Sequence, residues 1–169
     1  SDPKSHEAGI QVRSVGTTYL AGDMEGREFA SIFQRAGMPV ETVDIDTLLQ
    51  QLYRKVGLNC VANSLAAVTG LNMRELAQNG PLENAVNSIW HEAAEVLDLE
   101  RDPEVCREWL VAGGDHLPSS ARAVENGGVN DFPFLNGAIV KRGLRQGLQV
   151  RRNRLVCNLA SNRMMLSPN

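Results

Sequence analysis

Aromatic side chains are scarce, at 5% of the chain, so any core has to be packed mainly from aliphatic residues. Cysteine is scarcer still. Cys60, Cys106 and Cys157 lie far apart, without a close pair. That number and spacing argue against a disulfide framework and against a zinc site, and they point to a reducing cytoplasm. Cys60, set among apolar neighbours, reads as an inert core thiol. No apolar run reaches the roughly 18 residues that span a bilayer, so no membrane segment is expected. The opening residues do not read as a secretory leader; "SDPKSHEAG" looks like the cut edge of something longer. Acidic residues are absent after Asp131, where Lys141, Arg142, Arg145, Arg151, Arg152, Arg154 and Arg163 follow. No aromatic residues interleave with these arginines, which argues against single-stranded nucleic acid as a partner. The asymmetry instead predicts a basic helix beside acidic ones, or one facing an anionic ligand. Nowhere does a G-x-G-x-x-G follow a strand; the glycine pairs of "VAGGDHL" and "ENGGVND" lack the context that cradles a pyrophosphate.

What is present is an ordinary globular balance, 43% hydrophobic and 22% charged over 169 residues, enough for one domain with a real core. "IQVRSVGTTYLAG" reads as a strand with turns and "MPVETVDI" as a second short strand. Between them "EGREFASIFQRAG" reads as a helix with Phe29, Ile32 and Phe33 on one side. Asp44 or Asp46 can cap a long helix running to about Gly70. Helices follow in "NMRELAQ", "PLENAVNSIWHEAAEVLDL", "DPEVCREWLVAG" with Asp102 as its cap, "FPFLNGAIVKRGLRQGL" and "RNRLVCNLASNRMML". "GGDHLPSSARAVENGGVND" reads as loop or glycine-broken structure. The expected fold is therefore mainly α, with a β-α-β piece over residues 1–45 and a helical domain over 46–169.

The long helix holds one anomaly. Positions four apart on a helix drift by only about 40°, so Lys55, Asn59 and Asn63 form a slanted polar stripe. Leu52, Val56, Leu58, Cys60, Val61, Leu65, Ala66 and Val68 fill most other directions. A buried lysine and two buried amides cost several kcal/mol unless paired or solvated, so the stripe must face water, a polar cleft or a ligand. One reading is a partly exposed edge where two helices diverge. The other is a cleft in which the lysine donates a proton or binds a carboxylate while the amides orient hydroxyl or carbonyl groups.

"LYRKVGLNCVANSLAAVTGLNMREL" closely resembles the central helix of the ketopantoate reductases (2-dehydropantoate 2-reductases), where a lysine is followed by asparagines four and eight residues later. "HEAGIQVRSVGTTYLAG" resembles the last strands of that family's nucleotide-binding domain. "SSARAVENGGVNDFPFLNGAIVKRGLRQGL" resembles its serine-containing loop and following helix. The resemblance implies a helical domain like the C-terminal domain of 6-phosphogluconate dehydrogenase, carrying a small β-α-β remnant of a Rossmann domain. It implies a substrate-binding and dimerisation domain of an NADPH-dependent reductase of ketopantoate, a 2-keto acid, acting as a homodimer with the Rossmann domain preceding Ser1. NADPH belongs to the full-length protein, and this chain alone is expected to bind no cofactor and to be inactive.

By the same resemblance Lys55 is the general acid that protonates the substrate carbonyl oxygen. Asn59 and Asn63 hold the substrate and bond its hydroxyl. Ser119 or Ser120 binds the substrate carboxylate. Asp131 stands where the family has a glutamate that orients the lysine and touches cofactor, and it is one methylene shorter. "Ala-Arg-Ala-Val" replaces the family's "Met-Leu-Gln-Asp" after the serines, and "Phe-Pro" replaces "Ile-Asp" after the acid. These departures keep open an alternative, a stand-alone helical binding or assembly module that has lost catalysis. No metal site is expected: His6, His91 and His116 are scattered, and the His91–Glu95 pair reads as a surface contact. Ser119 and Ser120 lack a G-x-S-x-G elbow, which argues against nucleophilic catalysis.

Overall fold

The computed structural model of the chain describes residues 16–126 and 131–166. The start of the expected first strand, Ile10 to Val15, lies outside them, as does the Gly127–Gly128 pair. The chain divides into two compact units, 1–49 and 50–169.

In the first unit, β1 (Thr18–Ala21) and β2 (Val40–Val43) pair in parallel, from Thr18 opposite Val40 to Ala21 opposite Val43. Parallel neighbours need a crossover, which α1 (Met24–Arg35) supplies. Asp23 caps α1 by accepting from the Gly26 amide at 2.7 Å. A Cβ on Gly26 would collide with the Ala21 carbonyl oxygen, so glycine permits the tight strand-to-helix turn. Phe29 and Ile32 are expected from their spacing to be covered, yet they remain 58% and 53% exposed. Two four-residue strands offer too small a face, and only Gly26 and Ala30 of α1 are buried.

In the second unit every described regular element is a helix. Its first helix, α2 (Ile45–Thr69), starts at Asp44, whose carboxylate accepts from the Thr47 amide at 2.9 Å and the Thr47 hydroxyl at 2.7 Å. It stops at Gly70, which adopts φ +78°. Then come α3 (Met73–Gln78), opened by a capping box of Asn72 and Glu75, and α4 (Gly80–Leu97). Asp102 caps α5 (Pro103–Gly113). The segment expected as loop from Gly113 to Asp131 contains a two-turn helix, α6 (Ser119–Glu125). Its Ala121 and Val124 bury at i, i+3 spacing, a pattern too short to stand out between flanking glycines. Next, α7 (Asn136–Arg145) begins four residues later than its apolar pattern predicts. Residues 132–135 turn instead, with the Phe134 and Leu135 amides donating to the Asp131 carbonyl. The last helix is α8 (Arg151–Leu166).

Aliphatic packing dominates as the composition requires. Trp90 is the exception: its ring fills the gap left by Gly57 on α2, and its indole N–H donates to the Asp102 carbonyl at 2.9 Å. Around it Val61, Leu65, Leu76, Ile89 and Leu110 form the main cluster. Basic α8 packs on acidic α4, where the Glu92 carboxylate accepts from the Arg152 and Asn153 amides at 2.8 and 2.9 Å and so caps α8 from another helix.

Candidate functional site

Exposure falls steadily along the polar stripe of α2. Lys55 is exposed, Asn59 is half-buried and Asn63 is only 8% exposed. None of the three makes a hydrogen bond or ion pair with any described residue. Buried polar groups normally have partners, and among the described residues the fully buried side-chain polar atom without one is Asn136 Oδ1, not the Asn63 amide. Ser64 beside it shows the rule, returning its hydroxyl proton to the Cys60 carbonyl.

On the other side of the sequence, the two serines part company. Ser119 is exposed; Ser120 is 4% exposed and donates its hydroxyl to Asp131, 2.7 Å from Oδ1 and 2.9 Å from Oδ2. A hydroxyl has one proton, so Ser120 is committed to the carboxylate in this arrangement. Burial first, then Cys157 and the charge of Asp131, push the Cys60 thiol far up. Burial likewise pushes the Cys106 thiol up to about 12 and raises Cys157. The thiols are thus poor nucleophiles at neutral pH. The structure brings Ser120 to Asp131. No hydrogen bond or ion pair links Lys55, Asn59 or Asn63 to Ser119, Ser120 or Asp131 among the described residues.

Sequence reasoning missed a pair of fully buried asparagines behind this site. Asn136 Nδ2 donates to the Cys60 carbonyl and to Asn153 Oδ1, both at 3.0 Å. Asn153 Nδ2 donates in turn to the Ile89 carbonyl at 3.1 Å and to Glu92 at 3.0 Å. The available signal was the Asn-Gly of "FLNGAIV", a polar residue inside an apolar run.

Several concavities lie elsewhere on the helical unit. One of about 200 Å³ is lined by Gln50, Gln51, Arg54 and Trp90 among others; one of about 300 Å³ runs between Leu65, Ile89, Leu155 and Leu159. Among the described residues no three His, Cys, Asp or Glu side chains gather to hold a metal, and no helix is long and apolar enough to cross a membrane. The β1–α1 turn does not fit a dinucleotide pyrophosphate. Asp23 already occupies the Gly26 amide, and Glu25 adds a second negative charge in the first turn.

Residues 47–163 match the family model described as ketopantoate reductase PanE/ApbA C terminal. A 2-dehydropantoate 2-reductase of Archaeoglobus fulgidus is 28% identical over 156 residues, covering 85% of this chain and 51% of that protein. The crystal structure of a PanE/ApbA family ketopantoate reductase from Ralstonia eutropha JMP134 superposes with a TM-score of 0.79 at 28% identity, covering 90% of this chain and 53% of that one. D-mandelate dehydrogenase, in its complex with NADH and anilino(oxo)acetate, shares the fold with a TM-score of 0.79 at 23% identity, covering 92% of this chain and 69% of that one. The chain therefore spans about half the length of the ketopantoate reductases it matches.

Proposed function

Because the chain belongs to the family of ketopantoate reductase C-terminal domains, we propose that it forms the substrate-binding and dimerisation part of a 2-dehydropantoate 2-reductase-like oxidoreductase. The helical domain is residues 46–169, and residues 1–45 are the tail of the nucleotide-binding domain. The reaction reduces the carbonyl of a 2-keto acid of the ketopantoate class to an alcohol. The hydride for the carbonyl carbon would come from NADPH, held mainly by the nucleotide-binding domain. Lys55 gives a proton to the carbonyl oxygen, so that a C–H and an O–H bond replace the C=O π bond. Asn59 and Asn63 supply amide donors and acceptors to the substrate oxygens, and Asp131 orients Lys55 and touches the cofactor. Ser119, whose hydroxyl has no partner among the described residues, is a better candidate than Ser120 to bind the substrate carboxylate. The three free cysteines suit a reducing cytoplasm.

The observation that carries this reading is the line of Lys55, Asn59 and Asn63 on one helix, none of which has a hydrogen-bond or ion-pair partner among the described residues. Polar groups left available in this way can serve a polar ligand. The test is calorimetric titration of the chain, and of the same domain joined to its nucleotide-binding region, with ketopantoate and NADPH. The joined protein is expected to turn over, and the chain alone to bind NADPH too weakly to saturate. Micromolar binding by the chain alone would place the cofactor site within it. One observation favours the alternative, a helical module without catalysis: the Ser120 hydroxyl is taken up by Asp131. Absence of turnover in the joined protein would establish that alternative.

A further inference from the structure

We propose that Asn136 is a positioning residue for this site: its buried amide ties the main chain of α2 at Cys60 to the turn that carries Asp131. This inference rests on the proposed reductase reading for its consequence, though not for its geometry.

The geometry has three parts. First, residues 131–137 form a hydrogen-bonded unit. The Asp131 carbonyl accepts from the Phe134 amide at 2.9 Å and the Leu135 amide at 3.1 Å, and the Phe132 carbonyl accepts from the Gly137 amide at 2.9 Å. Cys157 adds its thiol to the Phe132 carbonyl at 3.6 Å. Asp131 and Asn136 therefore move together. Second, Asn136 Nδ2 donates to the carbonyl of Cys60, the residue that follows Asn59 and stands three before Asn63. The bond sets the turn's height along α2. Third, Asn153 anchors the same amide to α4 through the Ile89 carbonyl and Glu92, so α2, α4, α7 and α8 meet at one polar joint.

The amide is poorly explained as a stabiliser. Asn136 is fully buried, yet its Oδ1 has no partner among the described residues. An apolar residue of that volume would avoid the desolvation cost. What the amide uniquely supplies is register, the service that buried polar groups give when they fix one packing among several. A displacement of about 1 Å at a reacting group can cost on the order of 100-fold in rate, so register matters most where Asp131 must meet the Lys55 line.

The test uses Asn136→Leu and the double variant Asn136→Leu/Asn153→Leu, which removes both partners and keeps folding from being the limit. Hydrogen exchange on the chain is expected to show the Phe134, Leu135 and Gly137 amides at least about tenfold faster in both variants, with Ile89 to Ala94 of α4 unchanged in Asn136→Leu. Wild-type rates at those three amides, or acceleration throughout in step with global unfolding, would overturn the proposal. In the joined reductase the same variants are expected to lower kcat at least about tenfold while KM stays within about threefold. An unchanged kcat, with Lys55→Ala inactive as control, would also overturn it. Full turnover by Lys55→Ala would instead sink the reductase reading and leave the exchange result to decide the positioning of the turn.

Discussion

A lysine exposed on a helix, with no bonding partner among the described residues, contributes little to folding, so its replacement separates chemistry from stability. In the joined reductase, Lys55→Ala is expected to lower turnover by about 100-fold or more, while thermal unfolding of the chain shifts by no more than a few degrees. Asn63→Ala should act differently, weakening ketopantoate binding about tenfold, which is the worth of one lost hydrogen bond. Steady-state kinetics beside a melting curve read both outcomes, and equal losses of kcat and stability in Lys55→Ala would contradict them. The stripe was legible in the sequence because a four-residue repeat survives as a line on any α-helix. The choice between two adjacent serines was not. One step along the short α6 turns a side chain by about 100°, from exposed Ser119 to Ser120 at 4% exposure. Asn136 and Asn153 were illegible for another reason: their partners lie up to 76 residues away in sequence, and no local pattern encodes them.

At the scale of elements, the ends of helices were written most plainly. Asp44, Asn72 and Asp102 cap α2, α3 and α5 through their own side chains, and short polar residues before apolar runs signal this. Hidden ends belong to helices whose termini are set by tertiary contacts. Pattern alone started α7 at Phe132, and the turn around Asp131 moved it to Asn136. The cap of α2 carries a pH signature. The Thr47 hydroxyl, and then its amide, hold the Asp44 carboxyl below its usual 3.8. A depressed carboxyl contributes stability that is fully present above its unfolded value and lost as pH falls through its folded one. Acidification below about pH 4 should therefore fray the first turn of α2. Asn caps without titrating, so Asp44→Asn is expected to flatten that acid-side loss, read by circular dichroism at 222 nm. An identical acid profile in the variant would show that the cap contributes nothing to it.

For the molecule as a whole, the α-rich class and the β-α-β piece followed from periodicity alone, because strands and helices differ in repeat and the segments were long enough to show it. The exposed apolar stripe of α1 did not, since burial depends on what lies opposite. Exposed apolar surface also bears on assembly. Leu155 and Leu159 remain 53% and 47% exposed beside the groove lined by Leu65 and Ile89. Self-association through such surface is expected, and light scattering at the monomer mass of 18.5 kDa over a wide concentration range would exclude it. The cap that Glu92 lends to α8 reaches further, into the order of assembly. Arg152 and Asn153 sit in the first turn of α8, and their amides are satisfied by a carboxylate from 60 residues earlier in the chain. An isolated α8 peptide lacks that carboxylate, so its first turn has to be templated by α4 already in place. The last helix should then dock after the rate-limiting step. Glu92→Gln is expected to speed unfolding while leaving the refolding rate nearly unchanged, a φ-value near zero in a chevron analysis. A refolding limb that slows in proportion to the lost stability would mean instead that α4 and α8 meet in the folding nucleus.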